Sequence, residues 1–213
     1  MLTPLAFLQT LRLASPALPV GAFAWSTGLE GAIAEGRVTP QRAPDFLRDS
    51  LLLAQARWDA PVLWRMAHLD DLQPWNAEYL ASRETRELRM ETLQMGGSLV
   101  KLLRDLGHAQ ASPPNPTFPC AWALAAKAFE VPPETALLAW LMAFLENQLA
   151  VLQKALPLGQ VATQRLMSQL LPVVIEAHAQ AMALPDDGLS ASLPGLALFS
   201  SRHETQYSRL FRS

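Results

Sequence analysis

The residues able to do acid–base or metal chemistry are few and scattered. The four histidines, His68, His108, His178 and His203, lie far apart. No H-E-x-x-H or E-x-x-H pairing puts two ligands on one helix face. Asp105 and His108 stand three apart at the end of an expected helix, where a polar last turn is the ordinary reading. Asp70 and Asp71 could hold magnesium against a diphosphate only with a third aspartate, and Pro74 takes that place. They read as a solvated turn. Cys120, beside Pro119 and Trp122, reads as a buried structural thiol rather than a nucleophile or nickel ligand. The phosphate loop G-x-x-x-x-G-K-[ST], the C-x-x-C pair and the G-x-S-x-G elbow do not occur. We therefore assign no catalytic residue, no metal ligand and no cofactor.

Two other stretches ask for an explanation. Residues 200–213, SSRHETQYSRLFRS, set Arg202, His203, Glu204, Arg209 and Arg212 among Tyr207, Leu210 and Phe211, in a chain only 17% charged. One helical turn would align Tyr207, Leu210 and Phe211 with arginines on either side. Aromatic anchors flanked by arginine are typical of interface hot spots. The stretch reads as a segment that orders against a partner, and folding back onto its own bundle is the alternative. Gly96 and Gly97 interrupt the most periodic helix, where each costs about 1 kcal/mol relative to alanine. Either a neighbouring helix approaches closely there, or a partner docks.

The elements that must carry these residues are helical. Alanine and leucine dominate, and no β-branched run alternates with polar residues. A first apolar helix of about ten residues is expected before Pro16 and Pro19, and further helices over about 22–35, 39–68, 82–106, 120–130, 133–155 and 161–184, with Gly36 ending the second and Thr39–Pro40 starting the third. In the fourth, Leu88, Met95, Leu99, Leu102 and Leu106 share a face, and Arg83, Glu87, Glu91, Lys101 and Asp105 fall away from it. The fold class is all-α: a single-domain bundle of about eight to ten helices over residues 1–184, a connector over 185–199, and a flexible tail over 200–213.

Half the residues are hydrophobic and the net charge is -2. That balance gives no basic field for nucleic acid, and no helix has a basic recognition face. The longest apolar run, Ala136–Leu145, is too short to span a bilayer by itself. With a single cysteine and no basic signal-peptide start, the chain reads as cytoplasmic. Little charge over much apolar surface predicts poor solubility alone, and so a life in complexes. A helical enzyme with an apolar pocket for a lipid-like or isoprenoid substrate is the alternative class.

The C-terminal segment SSRHETQYSRLFRS and ASPALPVGAFAWSTGLEGAI, residues 14–33, resemble the signatures of the UreF family of urease accessory proteins. SRETRELRMETLQMGGSLVKLL (82–103) and PLGQVATQRL (157–166) agree more loosely, and the four stretches reach across the whole chain. Within them Ser15, Pro16, Pro19, Gly21, Phe23, Ser26, Gly28, Glu30, Pro157, Gly159 and Gln160 carry the motif. Ala24 and Trp25 depart from the small polar residue and the tyrosine expected there.

The resemblance implies a non-catalytic, all-helical chaperone, usually dimeric. It would bridge a UreD/UreH-type protein and the GTPase UreG, and support nickel insertion and lysine carbamylation in apo-urease. It implies partner-binding roles for Arg202, His203, Glu204, Tyr207, Arg209 and Phe211, with the Gly96–Gly97 face as a second candidate. Arg86, Arg89 and Arg165 are equally available as a finger for the GTPase.

Overall fold

A computed structural model describes residues 2–108, 111–190 and 194–212, and the described residues form helices joined by turns, with no strand among them. The all-α expectation holds.

Helix α1 (Pro4–Ala14) opens with proline in its first turn, and the Thr3 hydroxyl accepts from the Ala6 amide at 3.1 Å. The single helix expected over 22–35 is two pieces: a 3-10 turn at Ala22–Ala24 and the short α2 (Leu29–Ala34). Thr27 and Gly28, with φ of 53° and 81°, turn the chain left-handed between them, and no right-handed helix passes through such angles.

The long third helix begins at α3 (Ala43–Asp49), passes through a π-helical stretch (Ser50–Asp59), and finishes as α4 (Ala60–Ala67). Two tryptophans pin the π stretch. The Trp140 indole donates to Gln55 at 2.8 Å, and the Trp58 indole donates to Ser82 at 2.8 Å. Helix α5 (Gln73–Ala81) follows a stretch expected to break the chain; the Asp71 carboxylate, two residues before its start, accepts from the Gln73 amide at 3.0 Å. That bond gives the Asp70–Asp71 pair its ordinary structural use.

Helix α6 (Arg86–Asp105) is capped by Thr85, whose hydroxyl accepts from the Leu88 amide at 3.1 Å. It packs along α7 (Phe118–Ala128). Helix α8 (Pro133–Ala155) touches α1, α2, α3, α4, α7 and α9 (Gln160–Ala183), and so forms the central post of the bundle. Among the described residues it is the one helix long and apolar enough to cross a membrane, but 61% of that apolar window is buried in the fold, as in a core helix. Cys120 is fully buried, and burial pushes its thiol up to about 12.

The 185–199 connector contains structure of its own. Helix α10 (Pro194–His203) crosses the expected boundary at residue 200 and lies on α2 and α6.

A buried clasp holds the C-terminal segment

The clasp starts from a lone carboxylate in an apolar setting. Glu30 lies in the first turn of α2, where the helix dipole favours an anion, and its own amide donates to the buried Ser26 hydroxyl at 3.2 Å. Helix α10 can lie across it because α2 carries glycine where the backbones meet. A Cβ on Gly31 would stand 2.6 Å from the Phe199 carbonyl oxygen, a distance no real side chain keeps. On the other flank, the Ser200 and Thr85 hydroxyls share a hydrogen bond of 2.7 Å, and the Arg86 amide donates to Glu204 at 3.1 Å.

This seating drives His203, with no exposed surface, between two carboxylates. Nδ1 lies 2.8 Å from Glu87 Oε2 and Nε2 lies 3.0 Å from Glu30 Oε2. Each ring nitrogen thus has one carboxylate oxygen as its partner. Arg209 adds a cation through Nη1, 2.8 Å from Glu87 Oε1. The imidazole and the guanidinium together give both buried carboxylates hydrogen-bonding partners, without which burying them would be costly. Glu30 completes its bonding with the backbone beyond: it accepts from the Leu210 amide at 2.7 Å and the Phe211 amide at 2.9 Å. The Arg212 amide then reaches the Ala24 carbonyl at 2.8 Å. With both ring nitrogens engaged by carboxylates, His203 has no lone pair left for a metal or a substrate proton. The arrangement holds a segment in place.

The residues expected to meet a partner are therefore divided. His203 and Phe211 are buried in the chain itself, Glu204 is half-buried, and Arg209 is exposed although its guanidinium is bonded to Glu87 and to the Glu204 carbonyl. Arg202 lies at the surface, paired with Glu35 at 2.8 Å. Tyr207 is fully exposed and Leu210 is 62% exposed. Tyr207, Leu210 and Phe211 do not form the expected helical turn; residues 206–212 run as bends, because Glu30 takes two consecutive amides that a helix would need.

Gly96 is covered by this chain's own loop. A Cβ there would lie 2.1 Å from the Pro116 carbonyl oxygen, so close approach is the reason for that glycine. Gly97 faces open space. Pro157, Gly159 and Gln160 form the α8–α9 junction, with the Gly159 carbonyl accepting from Thr163. Asp105 pairs with Lys101, and the His108 ring meets Phe129 edge-on, so the two do not combine. Sequence reasoning missed that Glu87 and Glu91, on the outer face of α6 by periodicity, are buried. The one available signal was the isolation of Glu30 within GLEGAI, an acid needing a partner of opposite charge.

The fold and clasp define an all-helical chain whose two ends are locked together through buried ion pairs. A family model described as UreF matches residues 38–171. The chain is 46% identical to the urease accessory protein UreF of Chromohalobacter salexigens, over 99% of this chain and 96% of the relative. Against the proteins of the same name from Pseudomonas fluorescens and Azotobacter vinelandii it is 46% and 48% identical, over 95% of this chain and 97% of each. It belongs to the UreF family of urease accessory proteins.

Proposed function

We propose that this chain is a non-catalytic cytoplasmic scaffold, working as a homodimer, that bridges a UreD/UreH-type protein and the GTPase UreG while nickel is inserted and a lysine carbamylated in apo-urease. Nucleotide state on the GTPase would then be linked to affinity within the assembly. The observation that carries this reading is an apolar row left in water: Leu5, Leu8 and Leu11 on α1 are 61%, 61% and 52% exposed. Spaced by three, they lie together on one side of the helix, joined by Phe7 at 52%. A clustered apolar face of this kind marks an interaction surface. Tyr207 and Leu210 offer a second one, presented by the clasped segment rather than by a loose tail. Gly97 keeps its place as a candidate contact.

The alternative, an enzyme for lipid-like or isoprenoid substrates, has little room. The apolar pocket lined by Phe118, Trp122, Trp140 and Phe144 has about 90 Å³, less than the roughly 150 Å³ that accommodates benzene, and the larger hollow of about 510 Å³ beside the clasp is lined by Arg86, Glu87, Glu204, Arg209 and Arg212, a charged setting for an apolar substrate.

The test is co-purification with UreD-type and UreG-type partners, using Leu8→Glu and Tyr207→Ala. Both positions are exposed, so stability should stay within about 0.5 kcal/mol of the parent. The complex should weaken at least tenfold with one or both. Full retention by the folded double variant would overturn the assignment of these surfaces.

A further inference from the structure

One side of α6 faces solvent. At about 3.6 residues per turn, Arg86, Met90, Gly97 and Arg104 fall on one line down that side, with Leu93 and Val100 beside it. Arg86, Gly97 and Arg104 are exposed, Met90 is 37% exposed, and Leu93 and Val100 are half-buried. The two arginines stand about 27 Å apart along the axis, at about 1.5 Å per residue. The stripe therefore has a cation at each end and an apolar middle with a glycine at its centre.

Gly97 is out of place by the logic of the chain alone. The Pro116 carbonyl requires a glycine at position 96, but nothing lies within 4 Å of the place a Gly97 Cβ would take. Its backbone is ordinary right-handed helix, so no turn requires glycine either. Glycine inside a helix is less stable than alanine, and no contact among the described residues offsets that loss at Gly97. What the missing side chain provides is a shallow seat, open to solvent, where another backbone can come close.

The charges along the stripe are unbalanced. The acids of α6 are taken or turned inward: Glu87 meets His203 and Arg209, Glu91 is buried and accepts from Thr27 at 2.8 Å, and Asp105 pairs with Lys101. Glu204 bonds the Arg86 amide at 3.1 Å rather than its guanidinium. Arg212, from the clasped segment, reaches the edge of the stripe through a 3.1 Å bond to Gln94. Among the described residues Arg86, Arg104 and Arg212 have no ion pair. Three arginines without a counter-charge make this face positive on a chain whose net charge is -2.

We propose that this face of α6 is a docking surface for an acidic helix of a partner protein. The helix lies along the stripe for about five turns. Its carboxylates pair with Arg86 and Arg104 at the two ends, its small residues cross Gly97, and its apolar side chains cover Met90, Leu93 and Val100. Double-stranded DNA or an anionic membrane would need a continuous basic field, and the middle turns of this stripe are apolar. The inference deepens the scaffold reading and rests on it only for the identity of the partner, so the test uses a synthetic probe.

The probe is a fluorescein-labelled, alanine-rich helical peptide of five turns. One face carries glutamates near each end and leucine and alanine between them. The control peptide has lysine for every glutamate. Each is titrated with the isolated full-length chain in low salt, following fluorescence anisotropy. The glutamate peptide should saturate with a Kd on the order of 0.1 mM, and the lysine peptide should bind at least about tenfold more weakly. Physiological salt should weaken the glutamate complex severalfold. Gly97→Leu fills the seat, so it should weaken binding at least about tenfold while leaving Tm no lower than the parent's. Arg86→Glu combined with Arg104→Glu should reverse the preference toward the lysine peptide. The proposal is overturned by no saturation with the glutamate peptide, by equal binding of the lysine peptide, or by unchanged binding to folded Gly97→Leu. Tighter binding of a random DNA duplex or of phosphatidylserine vesicles than of the glutamate peptide would overturn it too. Failure here leaves co-purification of the urease partners untouched, and failure of that co-purification leaves this titration standing.

Discussion

Gly96 and Gly97 are neighbours in one helix, yet alanine should act on them in opposite directions. At Gly97 nothing lies within 4 Å of a new Cβ, so Gly97→Ala should simply gain helix propensity, about 1 kcal/mol. At Gly96 the same gain meets backbone: a Cβ would lie 2.1 Å from the Pro116 oxygen and 2.7 Å from the Thr117 carbonyl carbon. That loop cannot yield cheaply. Asn76 Oδ1 accepts from both the amide and the hydroxyl of Thr117 at 2.8 Å, and the Phe118 amide donates to Thr92 at 2.9 Å. Displacing it gives up three hydrogen bonds at about 1 kcal/mol each, leaving Gly96→Ala a net loss of about 2 kcal/mol after the propensity gain. For a chain of 213 residues this is a fall in Tm of about 4–8 °C, against a rise of about 2–4 °C for Gly97→Ala. Thermal unfolding followed by circular dichroism measures both. If Gly96→Ala proved as stable as Gly97→Ala, the loop would not be seated on α6 and the argument from close approach would fail.

Three further outcomes follow from buried groups. Glu87→Ala should release the Arg209 guanidinium and one side of His203, so limited trypsin digestion should cut after Arg209 at least tenfold faster than in the parent, and equal rates would count against the clasp. Arg83→Leu leaves the buried Asp59 carboxylate without its cation and should cost about 3–5 kcal/mol by urea unfolding. The Cys120 thiol, raised from 9.0 to about 12 by burial, should resist alkylation at pH 8, with a native thiolate fraction on the order of 10⁻⁴, and react once the chain is unfolded. Because its folded pKa lies above the unfolded one, its contribution is intact below about pH 9 and declines from there to about pH 12 at about 1.4 kcal/mol per unit; Cys120→Ala should flatten that decline.

Local chemistry made some elements readable and hid others. Helix α8 was legible from end to end, because Pro133 fits a first turn and the interval to Pro157 is uninterrupted by glycine or proline. The break before α2 was not, since Thr27 gives no warning of a left-handed conformation and apolar residues continue on both sides. Helix α10 was hidden by its composition: PGLALFSSRH looks like a linker, and it holds its place through tertiary contacts with α2 and α6. Periodicity placed Leu88, Met95 and Leu99 of α6 in the core, but Leu106, expected on the same face, is 44% exposed while Leu103 is buried, and Glu87 and Glu91, expected to fall away, are buried all the same. Segments distant in sequence cover them, and a helical wheel carries no information about those. The identities in the clasp were legible only as motif residues; their pairing across more than a hundred residues needed coordinates.

The separation of Glu30 from His203 by 173 positions sets an order of events during synthesis. A ribosome adding about 5–20 residues per second delivers the histidine roughly 10–35 s after the glutamate. Throughout that interval the acid in α2 has neither its histidine nor the two amides of residues 210 and 211, and seating it in an apolar bundle would be costly. The nascent chain must therefore keep its first helices unsettled until its last residues emerge. Any product that stops short of them carries a carboxylate with no place to go, which marks it as unfinished.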